Sequence, residues 1–241
     1  MSKAITKPDI KSGNNLLLVF AVLSALNLIA GALHLDWLGY ATKPLLVSIL
    51  AVWYYQHSNN VRKNNFFQAF LMGLCFSVLG DTLLMFVKTK GELFFILGLG
   101  SFLIAHVWYI LAFTAYPSFK TGLVTRNPLR LAPFIVVFVI TTMYLWPDLG
   151  ALRIPVIAYS FVIIAMLAFC YNMRNRVPRH VAQTLFLGAV LFVLSDFTIA
   201  FTKFKNSGLT PSIGGLIIMS TYLVGQYLLA SGMRKAGERF V

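Results

Sequence analysis

The chain has 241 residues, 59% hydrophobic and only 11% charged, with 15% aromatic and a mean hydropathy of +0.79. Soluble domains carry about 25% charged residues, so this composition excludes a water-soluble enzyme, and the aromatic content excludes disorder. The net charge of +13 would suggest nucleic acid on a soluble protein. Here the basic residues fall in short loops between long apolar runs, so no nucleic-acid partner is expected and the chain reads as a polytopic membrane protein. The runs lack the alternation of a membrane β-barrel, and the expected fold class is all-α.

Residues 1–13 carry Lys3, Lys7 and Lys11. The apolar run that follows is longer than a signal-peptide core and has no small-residue cleavage pattern, so the stretch reads as a tail before a first span. Eight spans are expected at 14–34, 38–56, 66–87, 94–115, 129–146, 151–171, 181–202 and 212–232, with a second tail at 233–241. Each is close to the about 20 residues a helix needs to cross the hydrocarbon. The cysteines, Cys75 and Cys170, lie inside spans and read as small buried hydrophobes.

The basic residues assign a side. The tails and alternate loops hold Lys3, Lys7, Lys11; Arg62, Lys63; Lys120, Arg126, Arg130; Arg174, Arg176, Arg179; and Arg234, Lys235, Arg239. That is 14 against five on the other side: Lys88, Lys90, Arg153, Lys203 and Lys205. The bias puts both termini in the cytoplasm, and the minimal loops suggest a bacterial plasma membrane.

The third and seventh spans resemble each other at an offset of 115. Phe76-Ser-Val-Leu-Gly-Asp81 aligns with Leu191-Phe-Val-Leu-Ser-Asp196, and Gly73 with Gly188. The chain therefore reads as two four-helix halves in parallel repeat.

Four ionisable side chains fall at membrane depth: Lys43, Asp81, His106 and Asp196. Each costs about 2.5–3.5 kcal/mol on insertion scales, so each faces the bundle interior and is a functional candidate. Asp81 and Asp196 lie at matching depth. Ser77 shares a helix face with Asp81, Ser195 adjoins Asp196, His106 and Tyr109 are three apart, and Gln226 lies at comparable depth in the last span. Two carboxylates, an imidazole, a phenol, an amide and an ammonium make an acid–base site by composition. Only His106 of the four histidines lies deep, too few ligands for zinc, so neither metal nor cofactor is expected.

These residues carry a resemblance. Lys43-Pro44, Ser77-Val-Leu-Gly80-Asp81, His106-Val-Trp-Tyr109, Ser195-Asp196 followed by Lys203-Phe204, and Gly225-Gln226, in that order and spacing, resemble the YhhN/TMEM86 family of eight-span lysoplasmalogenases. The resemblance implies hydrolysis of the vinyl ether bond of a lysoplasmalogen to a fatty aldehyde and a glycerophospho-ethanolamine or -choline, with Asp81 and Asp196 as the catalytic pair. The residues suit that chemistry independently. A vinyl ether hydrolyses through protonation of its β-carbon, and two carboxyls in one low-dielectric site divide into an acid and an anion. Lys43 is a candidate for the lipid phosphate. The runner-up is a proton-coupled carrier using the same aspartates. An intramembrane aspartyl protease is disfavoured, because Val78 and Val193 stand where its G-x-G-D motif requires glycine.

Overall fold

The computed structural model describes residues 10–205 and 208–240. Most of the expected N-terminal tail, with Lys3 and Lys7, lies outside the described residues, as do Val241 and the side chains of residues 10–14 and of Lys88. Eight helices of 14 residues or more follow in order: α1 (Ile10–Ala32), α2 (Asp36–Gln56), α3 (Asn65–Met85), α4 (Glu92–Ala115), α5 (Ala132–Leu145), α6 (Arg153–Tyr171), α7 (Arg179–Phe204) and α8 (Pro211–Gly237). Short helical turns fill the connections, and the regular elements described are all helical apart from one isolated bridge between Arg174 and Val177.

Seven helical segments among the described residues are long and apolar enough to cross a membrane. α2 is not one of them, although it has 21 residues. Asp36, Lys43, Pro44 and the polar edges of Tyr40, Tyr54 and Tyr55 dilute its apolar character. α5 reaches span length only with the 3₁₀ turns that flank it, Pro128–Asp148. α8 runs five residues beyond the expected span end, to Gly237. Its start is set by Pro211 at the first helical position and by Thr210, whose hydroxyl accepts from the Ile213 amide at 3.3 Å.

The exterior is apolar too. Ile135, Val136, Ile140 and Met143 of α5 and Ile154 and Phe161 of α6 are exposed, which suits side chains bathed in hydrocarbon. Cys75 corrects the sequence reading for the same reason: it is exposed, whereas Cys170 is buried. An apolar surround lets a small hydrophobe sit on either side of the wall.

Glycines set the closest helix contacts. A Cβ on Gly188 of α7 would lie 2.9 Å from the Gly225 carbonyl of α8, and one on Gly225 would lie 2.9 Å from the Gly188 carbonyl. α3 and α4 pack similarly, through Gly73 under the Tyr109 ring and Gly80 under the Phe102 ring. Without a hydrophobic force between helices in lipid, such close backbone approach supplies the packing attraction. α2 runs antiparallel to both neighbours. Asn27 Nδ2 of α1 donates to Thr42 Oγ1 at 2.8 Å, and Tyr40 Oη donates to the Met85 carbonyl at the end of α3 at 3.0 Å.

Arg176 departs from the simple picture of a solvated loop cation. It is buried and donates to the Phe113 carbonyl at 2.8 Å, the Pro117 carbonyl at 3.3 Å and the Tyr116 carbonyl. These are the orphan carbonyls at the end of α4, so the loop after α6 caps that helix. Burial pulls the guanidinium down to about 10, which leaves it charged at neutral pH.

Candidate functional site

Most of the polar residues expected at membrane depth converge inside the bundle. α3 contributes Ser77 and Asp81, four residues apart on one face, both buried. α8 contributes Tyr222 and Gln226 with the same spacing. α4 contributes Tyr109. Together they form a chain of hydrogen bonds. Ser77 Oγ and Tyr109 Oη are 3.2 Å apart, Tyr109 Oη donates to Gln226 Oε1 at 3.0 Å, Gln226 Nε2 donates to Tyr222 Oη at 3.3 Å, and Tyr222 Oη donates to Asp81 Oδ2 at 2.6 Å. Because Ser77 and Asp81 share a helix, the network closes on itself. Each buried polar group thereby finds a partner, which is the condition for holding a carboxyl there.

Asp196 of α7 has different company. Its side chain is 7% exposed, and His106 Nε2 lies 3.9 Å from its Oδ2. Its hydrogen-bond donor is the Tyr159 hydroxyl of α6. The His106 ring is fully buried between Phe192 and Tyr159, with centroids 4.8 and 5.5 Å away. Neither of its ring nitrogens has a hydrogen-bond partner among the described residues. Asp196 also lines an apolar cavity of about 290 Å³ among α4, α5, α6 and α7. Asp81 lies close enough to Asp196 to act on its charge, and Lys43 of α2 close enough to act on Asp81.

Lys43, Ser77, Asp81, His106, Tyr109, Asp196 and Gln226 are thus brought together. Ser195 is not: its hydroxyl donates to the Ile218 carbonyl of α8 at 3.1 Å and ties two helices. Tyr159 and Tyr222 were missed. Tyr222 could have been found as the residue one turn before Gln226. Tyr159 carries no local signal, since a tyrosine in an apolar run reads as packing. Among the described residues no three His, Cys, Asp or Glu side chains converge as a metal ligand set.

Fold and site together define an integral membrane protein, an all-helical bundle with two carboxyls in its interior and a lysine on the wall of a cavity beside them. A sequence model of the YhhN family matches residues 38–233, and the chain belongs to that family. All eight site residues expected from the sequence fall in the matched stretch. The chain is also similar to the lysoplasmalogenase TMEM86A of Bos taurus, at 27% identity over 164 residues, 66% of this chain and 62% of that protein. It therefore spans about three fifths of the length of this curated relative. No solved structure matches the chain.

Proposed function

We propose that this protein is a membrane hydrolase that cleaves the vinyl ether bond of lysoplasmalogens, with Asp81 and Asp196 as its catalytic pair. The observation that carries this is the pairing of two tyrosine-held carboxyls inside the bundle, one of them lining an apolar cavity. Family membership and the relative's printed activity favour a hydrolase over a carrier.

The two environments suggest a division of labour. Asp196 lines the cavity suited to an alkenyl chain, so it is assigned the proton transfer to the β-carbon. The proton leaves its carboxyl, the double bond's electron pair forms the new C–H bond, and an oxocarbenium ion results. Asp81, beside Lys43 and hydrogen-bonded to Tyr222, is assigned the carboxylate that stabilises that cation. Glycosidases divide two carboxyls over a similar cation. His106 Nε2 and Asp196 Oδ2, 3.9 Å apart, can share one water. That water attacks the cationic carbon and returns its proton to Asp196. The hemiacetal then passes its hydroxyl proton to the glycerol oxygen as the C–O bond breaks, leaving aldehyde and alcohol.

The same reading takes all eight long helices as spans, with both termini cytoplasmic and the chain in a bacterial plasma membrane. Two parallel halves are supported by matching contacts: α4 packs on α6 as α8 packs on α2, and α3 with α4 as α7 with α8. The test is aldehyde release from a lysoplasmalogen by purified protein in detergent, wild type beside Asp81→Asn and Asp196→Asn. Aldehyde from wild type and not from the variants supports the reading. No aldehyde from folded wild type overturns it.

A further inference from the structure

Two cavities meet at Leu84, one turn beyond Asp81. The one that Asp196 lines, about 290 Å³, is walled almost wholly by apolar side chains. The other, about 250 Å³, lies among α1, α2 and the start of α8, and its wall includes Asn27, Asp36, Tyr40 and Lys43. Among the described residues Leu84 alone lines both. It stands one turn beyond Asp81, and it leans on Gly98 of α4, where a Cβ would fall 2.6 Å from its Cδ2. A single leucine is a weak partition, because a rotamer change moves it where a backbone wall could not.

Charges link the two sides. Lys43 acts electrostatically on Asp81, and Asp81 on Asp196. Lys43 itself makes no ion pair or hydrogen bond of direct contact among the described residues. An ammonium held at membrane depth without a direct counter-ion suits an incoming anion. Asp36 lines the same cavity seven residues earlier on α2, so the cavity carries both signs. Pro44 adds an acceptor, since its missing N–H takes away the bond that the Tyr40 carbonyl would accept in an unbroken helix. One cavity is therefore polar and the other apolar, with Leu84, one turn beyond Asp81, between them and Asp196 on the wall of the apolar one.

We propose that the two cavities are one substrate site divided by Leu84. The phosphate of a single-chain zwitterionic phospholipid sits at Lys43. Its hydrocarbon chain passes Leu84 into the cavity walled by α4 to α7, and the bond joining head and chain lies beside Asp81 and Asp196. This rests on the hydrolase reading for its choice of lipid. The volume of the apolar cavity, near the lower end of the about 300–1,000 Å³ of small-molecule pockets, suits one chain rather than two.

The experiment measures binding of a saturated alkyl ether lysophospholipid, which cannot be hydrolysed by this route, to purified protein in detergent. A long-chain alkanol, glycerophosphoethanolamine and inorganic phosphate are the comparison ligands. Lys43→Met should weaken the ether lipid by about tenfold, the scale of a lost charge-assisted hydrogen bond, and leave the alkanol unchanged. Lys43→Arg should restore most of the loss. Leu84→Trp should weaken the ether lipid and leave the headgroup fragment unchanged. Wild-type protein supplies an arm free of folding effects: a photoreactive group at the chain end should label α5 or α6, and one on the headgroup should label α1 or α2. Both labels in one cavity, or ether-lipid affinity unmoved by Lys43→Met and Leu84→Trp, overturns the proposal. Inorganic phosphate binding as tightly as the lipid also overturns it and points to an ion site. Tight ether-lipid binding with no aldehyde from the vinyl ether would sink the hydrolase and leave the divided site. Aldehyde release with KM unmoved in both variants would do the reverse.

Discussion

Asp81 and Asp196 stand 115 residues apart at matching places in the two halves of the chain, yet their surroundings differ in kind. Asp81 ends a closed hydrogen-bond network drawn from three helices, in which Ser77, Tyr109, Gln226 and Tyr222 satisfy one another. Asp196 has one tyrosine donor, a histidine whose ring nitrogens are unpartnered, and an apolar cavity at its side. The helices beside the two aspartates, α8 and α2 for Asp81 and α4 and α6 for Asp196, carry different side chains. α8 presents Tyr222 and Gln226 one turn apart to Asp81, whereas Asp196 meets Tyr159 of α6 and His106 of α4. The two aspartates thus stand in unlike surroundings, one inside a closed network and one beside a cavity. A fixed, satisfied network preorganises, while an unmet hydrogen-bonding group keeps capacity for a ligand.

The strongest way to break this contrast is to remove each charge in turn. Asp196→Asn and Asp81→Asn should each cut aldehyde release by about 10²–10⁴-fold, the range of a lost acid–base group, with membrane insertion and folding retained. The double variant should be scarcely slower than either single one, since both groups act on one transition state. Either Asn variant keeping more than about a tenth of the wild-type rate, well short of that range, would remove it from the catalytic pair.

The two tyrosines sharpen the comparison by separating rate from stability. Tyr159→Phe takes away the hydroxyl donor of Asp196 and should lower kcat by about tenfold. Tyr222→Phe breaks two links, to Asp81 and to Gln226. It should lower the midpoint of thermal unfolding in detergent more than Tyr159→Phe does, and kcat less. The opposite ordering would mean that the network, rather than the cavity side, governs the chemistry.

Next in size are the paired glycines. Gly188→Ala would press a methyl against the α8 backbone and should cost about 1–3 kcal/mol of stability, as overpacking does. Gly73→Ala meets the Tyr109 ring first, so its first effect should be on activity, through displacement of Tyr109 from Ser77 and Gln226. Gly100→Ala, on α4 with nothing within 4 Å of the added methyl, is the matched neutral control. A smaller effect on rate is expected from His106→Ala, which should slow release less than either Asn variant. A loss as large as theirs would promote His106 from holding water to transferring the proton.

The sequence by itself determined the helical class and the interior residues. Long apolar runs admit no other spanning structure than helices once barrel alternation is absent, and an ionisable group at membrane depth is too costly to face lipid. Asp81, Asp196 and His106 were legible for that reason, and Ser77, Tyr109 and Gln226 as their neighbours in depth or on a helix face, without knowledge of which helices touch; Lys43, by contrast, lies on a cavity wall rather than in the core. The exterior was not legible as such, because lipid and core are equally apolar; Cys75 reads the same on either side of the wall. Nor was the burial of Arg176 legible, since its partners are carbonyls at the far end of α4, and backbone acceptors leave no mark on composition. The tertiary structure alone decided which polar groups meet. It joined Tyr222 to Asp81 and Tyr159 to Asp196, took Ser195 out of the site to bond Ile218, and put Leu84 between two cavities. Those outcomes depend on how eight helices turn toward one another, and that rotation is set by glycine contacts and side-chain shape across 241 residues rather than by any local pattern.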